Sequence, residues 1–178
     1  MRKIISGFAC SLDGYITGPN GEYDWILIND EMDFAEQMKR YDTFLIGRKT
    51  YDTMRGMSGP PTPDIKNYVF SKTLTSVDKN FILVKGDIET EVKKIKEQPG
   101  KEIAVFGGAS LLASLLDLKL VDQIEIAIIP VLLGAGKPMV DVLKQKVWLT
   151  FISSRNYSNG TVQICYAVNY NNQKSKRR

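Results

Sequence analysis

Three short stretches hold the residues best suited to chemistry: Gly47-Arg48-Lys49-Thr50, Ser71-Lys72 and Gly107-Gly108-Ala109-Ser110. Each follows an apolar run of strand type. Glycine lets an anion approach the backbone closely, and a helix start offers unpaired N–H groups with a partial positive charge. Arg48, Lys49 and Lys72 add cations and Ser71 a hydroxyl, the donor set that binds a phosphate monoester. The bland alternative for each glycine turn is a tight junction packing a helix on its sheet, and for Lys72 a solvated side chain. Neither glycine stretch is a GxGxxG or Walker A loop. The anion reading rests on the three occurring together.

What is absent narrows the chemistry further. Zero histidines remove Ser/His and Cys/His nucleophile pairs, His-bound zinc and any imidazole acid near neutral pH. Cys10 and Cys165 are too few for a disulfide framework or a thiolate metal site, so no metal is expected. Both lie in apolar runs and read as packing residues, which fits a reducing cytoplasm. The net charge of +4 belongs to Lys174, Lys176, Arg177 and Arg178, since the rest of the chain balances. A frayed, solvated end accounts for that tail better than contact with nucleic acid or anionic lipid. The longest apolar stretch, Ile126 to Leu133, contains Pro130 and is too short to span a membrane.

The 178 residues, 43% of them hydrophobic and 25% charged, suit one globular domain over 1–170 followed by a basic, disordered tail over 171–178. Strand and helix patterns interleave. Strands are expected at Ile4 to Cys10, Thr43 to Ile46, Asn67 to Phe70, Phe81 to Val84 and Ile103 to Phe106. Helices are expected from Asn29 or Asp30 to about Arg40, in a short piece fading near Gly56, from Asp87 to Gln98, and from Leu111 to about Leu118. A proline-rich loop runs from Gly59 to Pro63. Three further strands, Gln123 to Val131, Val147 to Arg155 and Val162 to Val168, close the chain, the last two joined through Asn159-Gly160. The pattern predicts an α/β fold: a mixed, mostly parallel sheet of about eight strands, helices on both faces and an antiparallel C-terminal hairpin.

Five stretches in order resemble the dihydrofolate reductase superfamily, most nearly the proteins related to the reductase domain of the bifunctional riboflavin-biosynthesis deaminase-reductase. They are Ser11-Leu12-Asp13-Gly14-Tyr15-Ile16, Leu45-Ile46-Gly47-Arg48-Lys49-Thr50-Tyr51, Val69-Phe70-Ser71-Lys72, Val105-Phe106-Gly107-Gly108-Ala109-Ser110 and Ile129-Pro130-Val131-Leu132-Leu133-Gly134-Ala135-Gly136. The resemblance implies a three-layer NADPH-dependent reductase fold, a small heterocyclic substrate of pyrimidine or pterin type, and a homodimer. It assigns Gly47, Arg48, Lys49 and Thr50 to the pyrophosphate and the 2′-phosphate, Ser71 and Lys72 to the 2′-phosphate, and Gly107, Gly108, Ala109 and Ser110 to the pyrophosphate. Ala9 and Ile16 would flank the nicotinamide. The cationic cluster favours NADPH over NADH, whose sites more often carry an acid for the ribose hydroxyls.

Hydride transfer asks little of side chains, but a proton must reach the reduced substrate. By the same resemblance an acid at the start of the first helix serves, which here offers Asp30, Glu31 and Asp33; Asp13, after the first strand, is the other candidate. Their bland readings are complements to the helix dipole and a turn residue before Gly14. Trp25 and Tyr51 are expected to line a flat ring's pocket or to be plain core. Arg55 and Lys137 are candidates for a substrate phosphate. The chain lacks a zinc deaminase module and a Leu-Pro sequence around Trp25, which points away from folate itself. The rival readings are a nucleotide-binding regulatory protein without hydride transfer and an RNA-associated protein using its tail.

Overall fold

The computed structural model describes residues 1–27, 31–55 and 64–171. Its main sheet contains β1 (Ile4–Ser11), β3 (Tyr41–Gly47), β4 (Lys66–Phe70), β5 (Phe81–Val84), β6 (Glu102–Val105), β7 (Gln123–Ile129), β9 (Trp148–Asn156) and β10 (Val162–Asn169), in the order β5-β4-β3-β6-β1-β7-β10-β9. Every pairing from β5 to β7 is parallel; β10 is antiparallel to both its neighbours. A second, two-stranded ladder joins β2 (Tyr15–Thr17) to β8 (Lys137–Pro138). The expected mixed sheet and C-terminal hairpin are both present. Gly160, at φ +84°, sits in the tight connection between β9 and β10.

The parallel half is apolar on both faces because helices cover both. One face packs Ile4, Leu45, Ile103, Val105 and the leucines of α4 (Ala109–Asp117) with Val92 and Ile95 of α3 (Ile88–Glu97). The other packs Ile5, Phe44, Ile46, Val69 and Ala104 with Tyr51 and Met54 of α2 (Arg48–Met54). Lys96, buried on α3, bonds Asp122 at 2.5 Å, and Asp122 also accepts the Ile4 N–H at 2.7 Å, so the ion pair fastens α3 to the start of the sheet.

The first helix is shorter than expected. α1 covers Phe34–Met38, with Asp33 as its N-cap accepting the Glu36 N–H at 2.9 Å. None of its side chains is fully buried and only Met38 packs against the core, so little tertiary packing extends so short a helix. Asn29 and Asp30, the expected caps, lie outside the described residues, as do the proline-rich loop and residues 172–178.

The connectivity opens a crevice beside β1. β1 pairs with β6 only from Ile4 to Ser6, while its pairing with β7 runs on from Ile5 to Ser11. Beyond Ser6 no strand of the described residues lies on that side of β1. This is the point where the chain's winding reverses, since β3, β4 and β5 lie on one side of β1 and β7 on the other.

Candidate active site

The cationic residues meet at the carboxyl ends of β3, β4, β5 and β6. There the helices α2 and α4 begin and a cleft of about 720 Å³ opens, floored by Gly47, Phe70, Val84 and Gly108. Arg48, Lys49, Lys72, Lys85 and Lys137 line it. Arg48 is braced from behind by Asp52 at 2.6 Å and by Thr73 Oγ1 at 3.1 Å, which fixes a guanidinium at the mouth. Lys49, Lys72 and Lys85 form no ion pair among the described residues. Ser71 is buried; its Oγ accepts the N–H groups of Thr73 and Leu74 at 3.2 and 3.1 Å and lies 3.4 Å from Thr73 Oγ1, the hydroxyl that Arg48 also engages. The N-cap of α4, Gly108, has no side chain with which to cap, so the first N–H groups of that helix face the cleft unclaimed by a cap. Asp141 is the one acid of this lining among the described residues, bonded by Ser110 Oγ at 2.8 Å. The Ser110 hydroxyl and then the Val142 N–H hold its carboxyl below the usual aspartate range.

Two smaller hollows continue from this cleft. The middle one, about 230 Å³, shares Gly108 and Ala109 with the cationic cleft and adds Ala9, Ile16, Gly107 and Met139. It lies over the open side of β1. A side chain built on Gly7 would meet nothing within 4 Å, so the missing Cβ leaves clear space along the strand. The inner hollow, about 330 Å³, shares Gly7, Phe8, Ala9, Ile26 and Val105 with the middle one. Its walls are mainly apolar, with Leu27, Met32, Met38 and Phe106 among them, and Phe106 stacks on Phe44 at 4.6 Å. Among the described residues its polar groups are Gln37, Tyr41, Glu125 and Gln163. Burial, and then the Glu125 charge, push the Tyr41 phenol up to about 12, so it stays neutral.

Residues 2–163 match the RibD C-terminal domain family. The chain belongs to that family. It is 39% identical to the uncharacterized protein YyaP of Bacillus subtilis (strain 168), over 94% of this chain and 96% of that one. Among solved structures, a Shewanella sp. PV-4 protein named for riboflavin biosynthesis superposes with a TM-score of 0.83 at 27% identity, covering 94% of this chain and 99% of the other. Dihydrofolate reductase from Enterococcus faecalis, solved with NADP(H), gives 0.71 at 17% identity, covering 94% and 96%. The last comparison establishes the dihydrofolate-reductase-like fold.

In this RibD C-terminal domain chain most of the expected cofactor residues converge. Gly47, Arg48, Lys49, Ser71, Lys72, Gly108, Ala109 and Ser110 line the cationic cleft, and Ala9, Ile16 and Gly107 the middle hollow. Thr50 stands behind them. Gly107 has φ +88°, and a Cβ there would come within 3.0 Å of Thr50 Cγ2, so Thr50 packs the two glycine turns together.

The expected substrate and acid residues fare differently. Tyr51 is a core residue, 1% exposed, whose hydroxyl accepts the Asp78 N–H at 3.0 Å while its ring meets Phe81 edge-on. Trp25 lines none of the three hollows; its neighbours Ile26 and Leu27 do. Asp13 accepts the Ser11 hydroxyl at 2.6 Å and the Gly134 N–H at 2.7 Å, tying the turn after β1 to the loop after β7. Those bonds, the Ser11 hydroxyl first, hold its carboxyl below the usual range, the setting of a loop clamp. Glu31 is exposed and accepts the Ser158 hydroxyl, and Asp30 lies outside the described residues. Arg55 pairs with Asp78 and lies over the Tyr51 ring, away from the hollows, whereas Lys137 joins the cationic cleft.

Sequence reading missed Lys85, Asp141, Glu125 and Gln163. Glu125 carried a signal: it is the single charged residue between Gln123 and Val131, an otherwise apolar strand.

Proposed function

We propose that the protein is a cytoplasmic, NADPH-dependent reductase that delivers hydride to a small heterocycle of pyrimidine or pterin type. The observation that carries this reading is one continuous cleft with three different linings: cations, then bare backbone, then an apolar chamber. Its residues fit the group. Arg48, Lys72 and Ser71 supply two charges and a hydroxyl for a 2′-phosphate, and the α4 start with Ser110 and Lys49 suits a pyrophosphate. Ala9, Ile16 and the open face of Gly7 accept a flat ring beside the inner chamber. When bound, NADPH supplies the hydride. The chain's share is to hold the two partners face to face and to exclude water with Met32, Phe106 and Ile129.

Asp30, three residues before Asp33 in the sequence, is the acid assigned to the proton. The expected data are binding of NADPH in preference to NADH and oxidation of NADPH when a panel of pyrimidines and pterins is added. Asp30→Asn should cut turnover while leaving NADPH affinity within about twofold. Tight NADPH binding with no oxidation across the panel would instead mark a regulatory nucleotide-binding protein. A homodimer is assigned to β9, an edge strand exposed along its length with Trp148, Phe151 and Ile152 at 49%, 59% and 49% exposure. Sedimentation should give a dimer for the wild type and a monomer for Phe151→Glu with Ile152→Lys.

A further inference from the structure

Glu125 and Gln163 lie on one face of adjacent antiparallel strands. Ala127 opposes Gln163 across the β7–β10 ladder, and Glu125 stands two residues before Ala127, so the two long side chains are diagonal neighbours. Both line the inner hollow, where the remaining wall is mainly apolar. Each is oriented by a partner behind it. Glu125 Oε1 accepts Arg40 Nη2 at 3.0 Å and Gln123 Nε2 at 2.8 Å, while its Oε2 has only a longer contact, 3.3 Å to Arg40 Nη1. Arg40 is itself braced by Glu102 at 3.1 Å. The pairing leaves Oε2 with unused acceptor capacity. Gln163 Oε1 accepts the hydroxyl of buried Tyr157 at 2.6 Å, which turns its Nε2 into the free end.

A charged acceptor and a neutral donor are thus fixed side by side in an apolar chamber. We propose that Glu125 and Gln163 read the amide edge of the substrate ring, Glu125 accepting a ring N–H and Gln163 donating to the adjacent carbonyl. The inference rests on the inner hollow being the substrate end of the cleft. It assigns the substrate class as a flat, neutral heterocycle with a –NH–C(=O)– edge. It also makes these two sheet residues the specificity determinants, because a ring without that edge leaves a buried carboxylate oxygen and an amide N–H unpaired.

Two probes separate edge recognition from shape. Lumazine has the amide edge on a fused bicyclic frame, and quinoxaline has a similar frame with no ring N–H and no carbonyl. Calorimetric titration at slightly acidic pH, where lumazine stays neutral, should show the wild type preferring lumazine by at least about tenfold, the worth of one hydrogen bond to a charged group. Glu125→Gln keeps an acceptor for Arg40, and Gln163→Glu keeps one for Tyr157, so both variants preserve the bracing while reversing the pocket-facing group. Each should bring the preference to within about threefold and leave quinoxaline affinity within about twofold. Thermal melts of both variants check folding, and Gln163→Leu is the second variant should Gln163→Glu fail to fold. Absence of lumazine binding, no wild-type preference, or a preference that survives both substitutions overturns the assignment. NADPH titration of the same samples is independent: loss of the preference in the variants together with no NADPH binding would retain the reading pair and discard the reductase.

Discussion

The two ends of the cleft recognise by opposite means. Among the described residues the outer end gathers five cations and one acid from strand ends, loops and the first turn of α2, on side chains that reach toward solvent. Among the described residues the inner end has one acid, Glu125, paired with Arg40 and set mid-strand among apolar walls. An open site attracts a multiply charged ligand through many additive, salt-screened contacts; an enclosed one selects a neutral ligand through a few desolvated hydrogen bonds. Damage to the first should grade with the charge of the ligand, and damage to the second with its hydrogen-bonding edge.

The largest effect expected is on the outer end. Arg48→Ala with Lys72→Ala removes two charge-assisted contacts, each worth about 1.5–3 kcal/mol, so NADPH should weaken by at least about a hundredfold. NADH should change by less than about fivefold in the same fluorescence titration. Equal losses for both coenzymes would show that these cations do not meet the 2′-phosphate.

Next comes the junction between the two ends. Gly107→Val places a β-branched residue at φ +88° with its Cβ against Thr50, which should cost about 1–3 kcal/mol of stability and close the middle hollow. Urea unfolding gives the first quantity and NADPH titration the second; a variant with unaltered stability would contradict the packing of the two glycine turns.

A smaller effect tests the separation of core from pocket. Tyr51→Phe removes the acceptor for the Asp78 N–H and should cost about 1 kcal/mol, without changing affinity for any ring compound. A selective loss of substrate affinity would return Tyr51 to the pocket.

The smallest effect is a flat pH response. With zero histidines, stability should be level between about pH 5 and pH 7.5, above which the thiols of Cys10 and Cys165, both raised chiefly by burial, ionise more readily in the unfolded chain. Asp13, Asp42, Asp87 and Asp141 sit below the usual aspartate value of 3.8, so the unfolded chain binds protons more readily there, and stability should fall as pH drops through that range. Tyr41, pushed up to about 12 from 10.0, favours the neutral phenol in the fold, and its contribution is lost as pH rises through the alkaline range. A midpoint of stability loss near pH 6.5 would refute this.

The sequence by itself determined the sheet and the outer site. Strands such as β6 are buried on both faces from Ile103 to Val105 and read as apolar runs, and anion-binding turns are local: Gly47 to Lys49, and Gly108 to Ser110, are contiguous and bring their own glycine and helix start. Tertiary structure alone decided the inner site. Glu125 and Gln163 stand on strands that meet only through the β7–β10 ladder, and although the lone charge of Glu125 stands out in its strand, nothing local pairs it with Gln163. It also decided that Tyr51 belongs to the core and Asp13 to a loop clamp, because the partners that fix those roles, Asp78 with Phe81 and Leu133 with Gly134, lie 27 to 121 residues away along the chain. Side-chain chemistry is encoded residue by residue, but which groups share a cavity follows from how distant segments pack, and that packing set the two ends of this cleft apart.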